Sequence, residues 1–138
     1  MAILARAPAH RLAALLDAAG ERTSYTVLRG PEGGLVMVRG RIGGGGGPFN
    51  LGEMTVTRCT VCVDPGLIGH AYVAGREPRR AELAALVDAL MQDPARAETL
   101  ETFVILPLEQ DQAERRAERA GKAAATRVQF FAMQTMRT

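Results

Sequence analysis

The chain has 138 residues and a formal net charge of +2, with 47% apolar residues, no tryptophan and two cysteines. A chain of this length can bury a core without disulfides or a structural metal, and so small a net charge sets aside general nucleic-acid binding, which needs a concentrated basic field. No apolar run approaches the roughly 20 residues that cross a bilayer, and the amino terminus MAILARAPAHRLAALLDAAGER lacks a signal peptide's layout, so one cytoplasmic domain over residues 1–138 is expected.

Pro8 followed by Leu12, Leu15, Leu16 and Ala19 has helical spacing, and Gly20 supplies a stop. Residues 24–28 and 34–40 read as two strands separated by the turn composition Arg29-Gly30-Pro31-Glu32-Gly33-Gly34. A glycine-rich loop leads into a longer strand over residues 53–63, closed by Asp64-Pro65-Gly66, and residues 68–74 return antiparallel beside it. Pro78 then opens a central helix whose stripe of Leu83, Leu86, Val87 and Leu90 covers one sheet face and ends near Asp93-Pro94. The run from Phe103 to Leu106, stopped by Pro107, fits a strand or a buried loop.

Residues 109–125 are highly charged, yet Ala113, Ala117, Ala120 and Ala124 recur at helical spacing. A helix with so narrow a stripe packs closely or not at all. Glu118 with Lys122, and Arg115 with Glu118, are spaced for intrahelical pairs. Residues 126–133, TRVQFFAM, read as a last strand that either adds to the sheet or presents Phe130 and Phe131 elsewhere. The grouped strands and segregated helices indicate an α+β domain: a mainly antiparallel sheet of four to six strands, packed with an N-terminal helix, a central helix and a C-terminal charged helix.

Five consecutive glycines, Gly43, Gly44, Gly45, Gly46 and Gly47, stand between two strands. Glycine loses more backbone entropy on ordering than any other residue, so such a run calls for an anion cradled by backbone N–H groups, a close approach by another polypeptide, or no ordering in the isolated chain. It lacks the Gly-Lys-Ser/Thr ending of an NTP-binding loop. An anion nest flanked by Arg39, Arg41 and Arg58 remains one reading. The other is structural: Arg39 and Arg41 share a strand face, and pairing about the loop centre brings Arg41 close to Glu53 as a hairpin-closing ion pair. Asn50 lies between loop and strand and joins the candidate set.

Cys59 and Cys62 have CxxC spacing, but residues three apart on a strand point to opposite faces, which favours two small sheet residues over a redox or zinc pair. His70 is the only histidine within the expected sheet and has no evident acid-base partner. Arg76, Arg79 and Arg80, around the start of the Pro78 helix, could bind phosphate together with that helix terminus, but a solvated basic turn is the favoured reading. No catalytic triad, Cys-His pair or carboxylate metal cluster can be assembled with any specificity.

The block VRGRIGGGGGPFNLGEMTVTRCTV, then GHAYVAGREPRRAELAALVDAL and the terminal VQFFAM, resembles the PhnG family of the bacterial carbon–phosphorus lyase system from about His10 to Met133. The resemblance implies a single PhnG-like domain. It implies a subunit that works with PhnH, PhnI and PhnL to form α-D-ribose 1-methylphosphonate 5-triphosphate from MgATP and methylphosphonate with release of adenine, PhnI holding the main chemistry. A two-fold core complex with PhnH, PhnI and PhnJ is implied as well, PhnJ breaking the carbon–phosphorus bond later. No catalytic residue carries over to this chain, and MgATP is the substrate of the complex rather than a cofactor held here. Two roles are weighed: an accessory structural subunit, and a phosphate- or triphosphate-binding subunit that uses the glycine loop and its arginines. In isolation, exposed apolar patches are expected to drive self-association into a homodimer or larger oligomer.

Overall fold

The computed structural model describes residues 1–43 and 45–128. A 3₁₀ turn at Leu4–Arg6 precedes helix α1 (Ala9–Ala18). Strands β1 (Tyr25–Arg41), β2 (Pro48–Val63) and β3 (Leu67–Ala74) follow, then helices α2 (Pro78–Leu90), α3 (Pro94–Leu100) and α4 (Leu106–Ala125), with a π-helical stretch at Glu101–Ile105. The sheet is antiparallel, in the order β1-β2-β3.

The architecture is α+β as expected, but with three strands rather than four to six among the described residues. The two strands read from residues 24–28 and 34–40 are one continuous β1. Its Gly30-Pro31-Glu32 segment is absorbed as bulges: β1 advances from Arg29 to Glu32 while β2 advances only from Thr60 to Arg58. Gly30 takes a positive φ of 74° there, and a Cβ would meet the Arg58 carbonyl at 2.7 Å. Turn composition thus marks a bulge instead of a reversal. The final expected strand lies mostly outside the described residues, and residues 126–128 form no strand.

Helix α1 buries Leu12, Leu15 and Leu16 and ends at Gly20 (φ 74°), with the Glu21 amide bonded to the Leu16 carbonyl at 3.1 Å. Helix α2 starts with Pro78 in its first turn, where a missing N–H is harmless. Buried Thr57 ties that start to the sheet: its hydroxyl accepts from the Glu77 amide at 3.0 Å and donates to the Gly75 carbonyl at 2.6 Å. The stripe of Leu83, Leu86, Val87 and Leu90 is buried as expected, each side chain contributing about 1.5–3 kcal/mol.

The run around Phe103 is neither strand nor loop but π-helix, the Leu106 amide bonding to the Glu101 carbonyl. A proline in a helix lacks a donor and crowds the carbonyl four residues back, and the widened turn just before Pro107 absorbs this. Leu100, Val104 and Leu108 then continue one buried stripe into α4. Beyond Gln112 every described residue of α4 is exposed, so the alanine stripe packs against nothing among the described residues. The Glu118–Lys122 pair forms at 2.6 Å, whereas Arg115 and Glu118 make no ion pair among the described residues.

The closest approach in the core is between α2 and β3. A Cβ built on Gly69 would overlap the Ala85 carbonyl and the Ala89 amide and lie 2.8 Å from the Ala89 methyl. Backbone cannot retreat as a side chain can. Gly69→Ala is therefore expected to lower stability by about 3 kcal/mol in urea unfolding, at the upper end for overpacking, while Gly33→Ala, which meets nothing within 4 Å, changes it little.

Candidate interaction surface

Strand β3 pairs with β2 only from Val56 to Val63. Beyond it, residues 34–41 of β1 and 48–55 of β2 run on as a two-stranded ribbon closed by residues 42–47. Leu35, Met37, Arg39 and Arg41 alternate onto one ribbon face, and Val36, Val38 and Gly40 onto the other. Phe49 lies across Gly40, its ring 3.4 Å from where a Cβ would stand, with Leu51 beside it. Neither face is covered: Leu35 is 62% exposed, Leu51 66% and Ile42, at the tip, 71%. Where the ribbon meets α2, residues including Pro31, Leu35, Thr55, Arg76 and Pro78 enclose a cavity of about 460 Å³.

The two sheet edges differ. On β3 the Asp88 carboxylate accepts from the His70 amide at 2.9 Å and the Gln92 side chain donates to the Ile68 carbonyl at 2.8 Å, so α2 blunts that edge. The outer edge of β1 has no strand beside it among the described residues.

The sequence-derived candidates do not converge on one point. Arg39 and Arg41 share a face as expected, and Arg41 donates from Nη1 to the Gly46 carbonyl at 3.3 Å. The expected closeness of Arg41 to Glu53 is corrected: Arg41 opposes Pro48 and Glu53 opposes Met37. The cause is that β2 starts at Pro48, directly after the loop, rather than near Glu53; a register shift between Val38 and Arg39 moves the partner by one more residue, placing Asn50 opposite Arg39 and leaving Leu51 as the extra residue. Arg58 is likewise not at the loop. It donates to the Glu32 carboxylate at 2.6 Å, which also takes Arg29 at 2.6 Å.

Within the loop, Gly43 has φ 59° and the Gly46 amide bonds to the Ile42 carbonyl at 2.8 Å, where a Gly46 Cβ would collide with that carbonyl. Gly45 and Gly47 have open space around them, and Gly44 lies outside the described residues. His70 stands on the helix-free sheet face, Nδ1 3.2 Å from the Thr60 hydroxyl. Cys59 is buried and Cys62 half-buried, both as free thiols, and burial pushes the Cys59 thiol up. Burial, reinforced by a 2.5 Å hydrogen bond to Glu82, raises Tyr25. Arg29, and then Arg58, hold the Glu32 carboxyl below its ordinary range against partial desolvation.

The apolar residues Phe49, Leu51 and Met54 belong to no chemical motif, and sequence reasoning did not single them out. Their one signal was Leu35-Val36-Met37-Val38, a strand with no polar face. Among the described residues no three of His, Cys, Asp and Glu group as a metal site, and no helix is long and apolar enough to cross a membrane.

Fold and surface together define an α+β protein whose dominant uncovered feature is a two-stranded apolar arm. The chain belongs to the PhnG family: the model of the family described as phosphonate metabolism protein PhnG matches residues 1–136. It is also 47% identical over 133 residues, 96% of this chain and 85% of the relative, to a Rhizobium meliloti (strain 1021) protein named alpha-D-ribose 1-methylphosphonate 5-triphosphate synthase subunit PhnG.

Two solution outcomes follow from this geometry. Iodoacetamide at mildly alkaline pH is expected to label Cys62 in the native protein and Cys59 only after unfolding, read by peptide mass mapping. Because the Glu32 carboxyl is held down in the folded state, its stabilising contribution is present above the ordinary glutamate range and lost as pH falls through the lowered folded value. An NMR titration should place the Glu32 midpoint below the ordinary range of a free glutamate side chain, and Arg58→Gln should raise it.

Proposed function

We propose that this chain is an accessory, non-catalytic subunit of an α-D-ribose 1-methylphosphonate 5-triphosphate synthase, and that the β1–β2 ribbon is its docking element. The reading rests on the ribbon: a two-stranded arm with one apolar face of Val36, Val38, Phe49 and Met54, a second face that mixes Leu35 and Met37 with Arg39, Arg41 and Glu53, and a β1 edge unpaired among the described residues gains cover and backbone partners from other chains. The relative's name supplies the assembly and its product.

PhnH-, PhnI- and PhnJ-like chains are the proposed partners, with PhnL acting alongside, MgATP as substrate of the complex and the cytoplasm as its compartment. Arg39, Arg41, Asn50 and the glycine tip fall within the proposed contact. Gly45 and Gly47, which nothing in this chain requires to be glycine, leave the tip open to another backbone. An anion nest at the same loop has less support, since Arg58 is engaged elsewhere and Arg41 already serves the Gly46 carbonyl.

Co-expression tests the reading. The Phe49→Asp, Leu51→Asp double variant is expected to lose co-purification with the PhnI-like and PhnH-like chains while its circular dichroism is unchanged. Retention of both partners at micromolar concentration refutes ribbon docking. The isolated chain is expected to sediment as a dimer or larger species, shifted toward monomer by the same substitutions.

A further inference from the structure

Away from the ribbon, α4 carries a stripe that neither the sheet nor the proposed docking uses. Gln112, Arg115, Arg116 and Arg119 stand at i, i+3, i+4 and i+7, which places them on one helical face. Asp111, Glu114 and Glu118 lie on the adjoining face, beside His10 and Arg11. The arginines of the stripe are exposed, but they are not scattered. With Arg6 from the 3₁₀ turn and Arg80 from the first turn of α2 the stripe lines a groove of about 320 Å³.

Three observations make this groove more than a solvated basic face. Five guanidinium groups from three separate elements converge on it, and no carboxylate lines it. None of Arg6, Arg80, Arg115, Arg116 and Arg119 makes an ion pair among the described residues, and residues 129–138 contain no Asp or Glu side chain that could supply one. Arg80 is also held in an unusual way: its Nη2 donates to the Ala74 carbonyl while its Nε, shielded from solvent, has no acceptor among the described residues. A buried orphan donor needs an explanation, and an oxyanion at the groove provides one.

The floor is fixed rather than adaptable. Buried Gln112 donates from Nε2 to the Ile3 carbonyl at 2.8 Å, locking α4 against the amino-terminal turn. The helix that carries three of the arginines is therefore held in a fixed position relative to Arg6 and Arg80. The groove's volume lies at the small end for ligand pockets. Planar guanidinium forks that bind phosphate oxygens in pairs are the donors expected for a compact, multiply charged phosphate.

The geometry points to a binding site for a linear triphosphate group in the groove between the Leu4–Arg6 turn, Arg80 and the basic stripe of α4. The anion chemistry comes from the groove itself. Its identification as a triphosphate rests on the proposed synthase reading, whose product carries one.

Isothermal titration of the full-length chain with inorganic triphosphate tests the site. Saturable one-to-one binding is expected, and Arg115→Gln with Arg119→Gln should weaken it about tenfold or more, as expected for loss of charge-assisted donors. These side chains are exposed and unpaired, so the thermal midpoint should not move, and Arg22→Gln should leave binding unchanged. Absence of binding, equal binding by the groove variant, or equal displacement by sulfate at matched ionic strength would overturn the proposal. So would loss of binding in Arg39→Gln, Arg41→Gln alone, which places the anion at the glycine loop. Groove variants that shed partner subunits yet still bind triphosphate make the groove a protein contact, which also refutes it. Failure of the intact chain to co-purify with partners counts against the subunit reading only, so the two failures are distinguishable.

Discussion

The backbone of α2 runs directly against β3 at Gly69, where the missing Cβ lets the Ala85 carbonyl and the Ala89 amide touch the strand. That contact fixes how far along the sheet the helix sits. A helix of 13 residues is about 20 Å long, whereas the 16 residues of β2 extend for about 50 Å. One helix held at one point cannot cover such a strand. The eight residues of β3 stop short as well, so sheet and helical layer end together and the remaining half of β1 and β2 runs on alone. The bare arm is a consequence of element lengths and of where Gly69 pins them.

Elements whose signal is periodic burial against a single neighbour were legible in the sequence. The stripes of α1 and α2, the Gly20 stop and the β2–β3 turn at Asp64-Pro65-Gly66 each depend on a few adjacent residues, and the structure realises them. What was not legible depends on partners distant in sequence. Gly30-Pro31 has turn chemistry, and only the register against Arg58 and Thr60 decides that the chain bulges and continues. The Arg41–Glu53 pairing failed because β2 begins at Pro48, directly after the glycine loop, so the ribbon closes Arg41 against Pro48 and leaves Glu53 further back opposite Met37. The π turn before Pro107 illustrates a third limit: five apolar-rich residues carry no period long enough to tell strand from helix.

The site candidates divide along the same line. Chemical residue types drew attention to His70, Cys59 and Arg58, and each proves to have a local structural partner or a buried place: the Thr60 hydroxyl, the core, and Glu32. The surfaces left without partners are made of residues with no motif, the ribbon apolars, or of a motif legible only as a helical face, the α4 arginines. Helical spacing had drawn attention to the alanines of that helix, which are uncovered among the described residues, and to Arg115 only as a partner for Glu118. Charge at i, i+3, i+4 and i+7 is usually solvated, and it acquires meaning only when Arg6 and Arg80 arrive from other elements.

An isolated two-stranded ribbon is at best marginally stable in water, so the arm must inherit its order from the three-stranded half. The transfer occurs at Arg29, Glu32 and Arg58. Strand β3 ends opposite Val56, and just inside that point a single Glu32 oxygen bridges an arginine on its own strand to one on β2. The three groups are exposed, so their value lies less in stability than in geometry. The bulge adds residues to β1 that β2 does not match, and without a cross-strand tie the register beyond it is free to slip by one, exchanging the two faces of the arm. Clamping Glu32 opposite Arg58 fixes which side chains, Leu35 and Met37 or Val36 and Val38, lie on each face. The ribbon is thereby presented with a defined face although no layer among the described residues covers it.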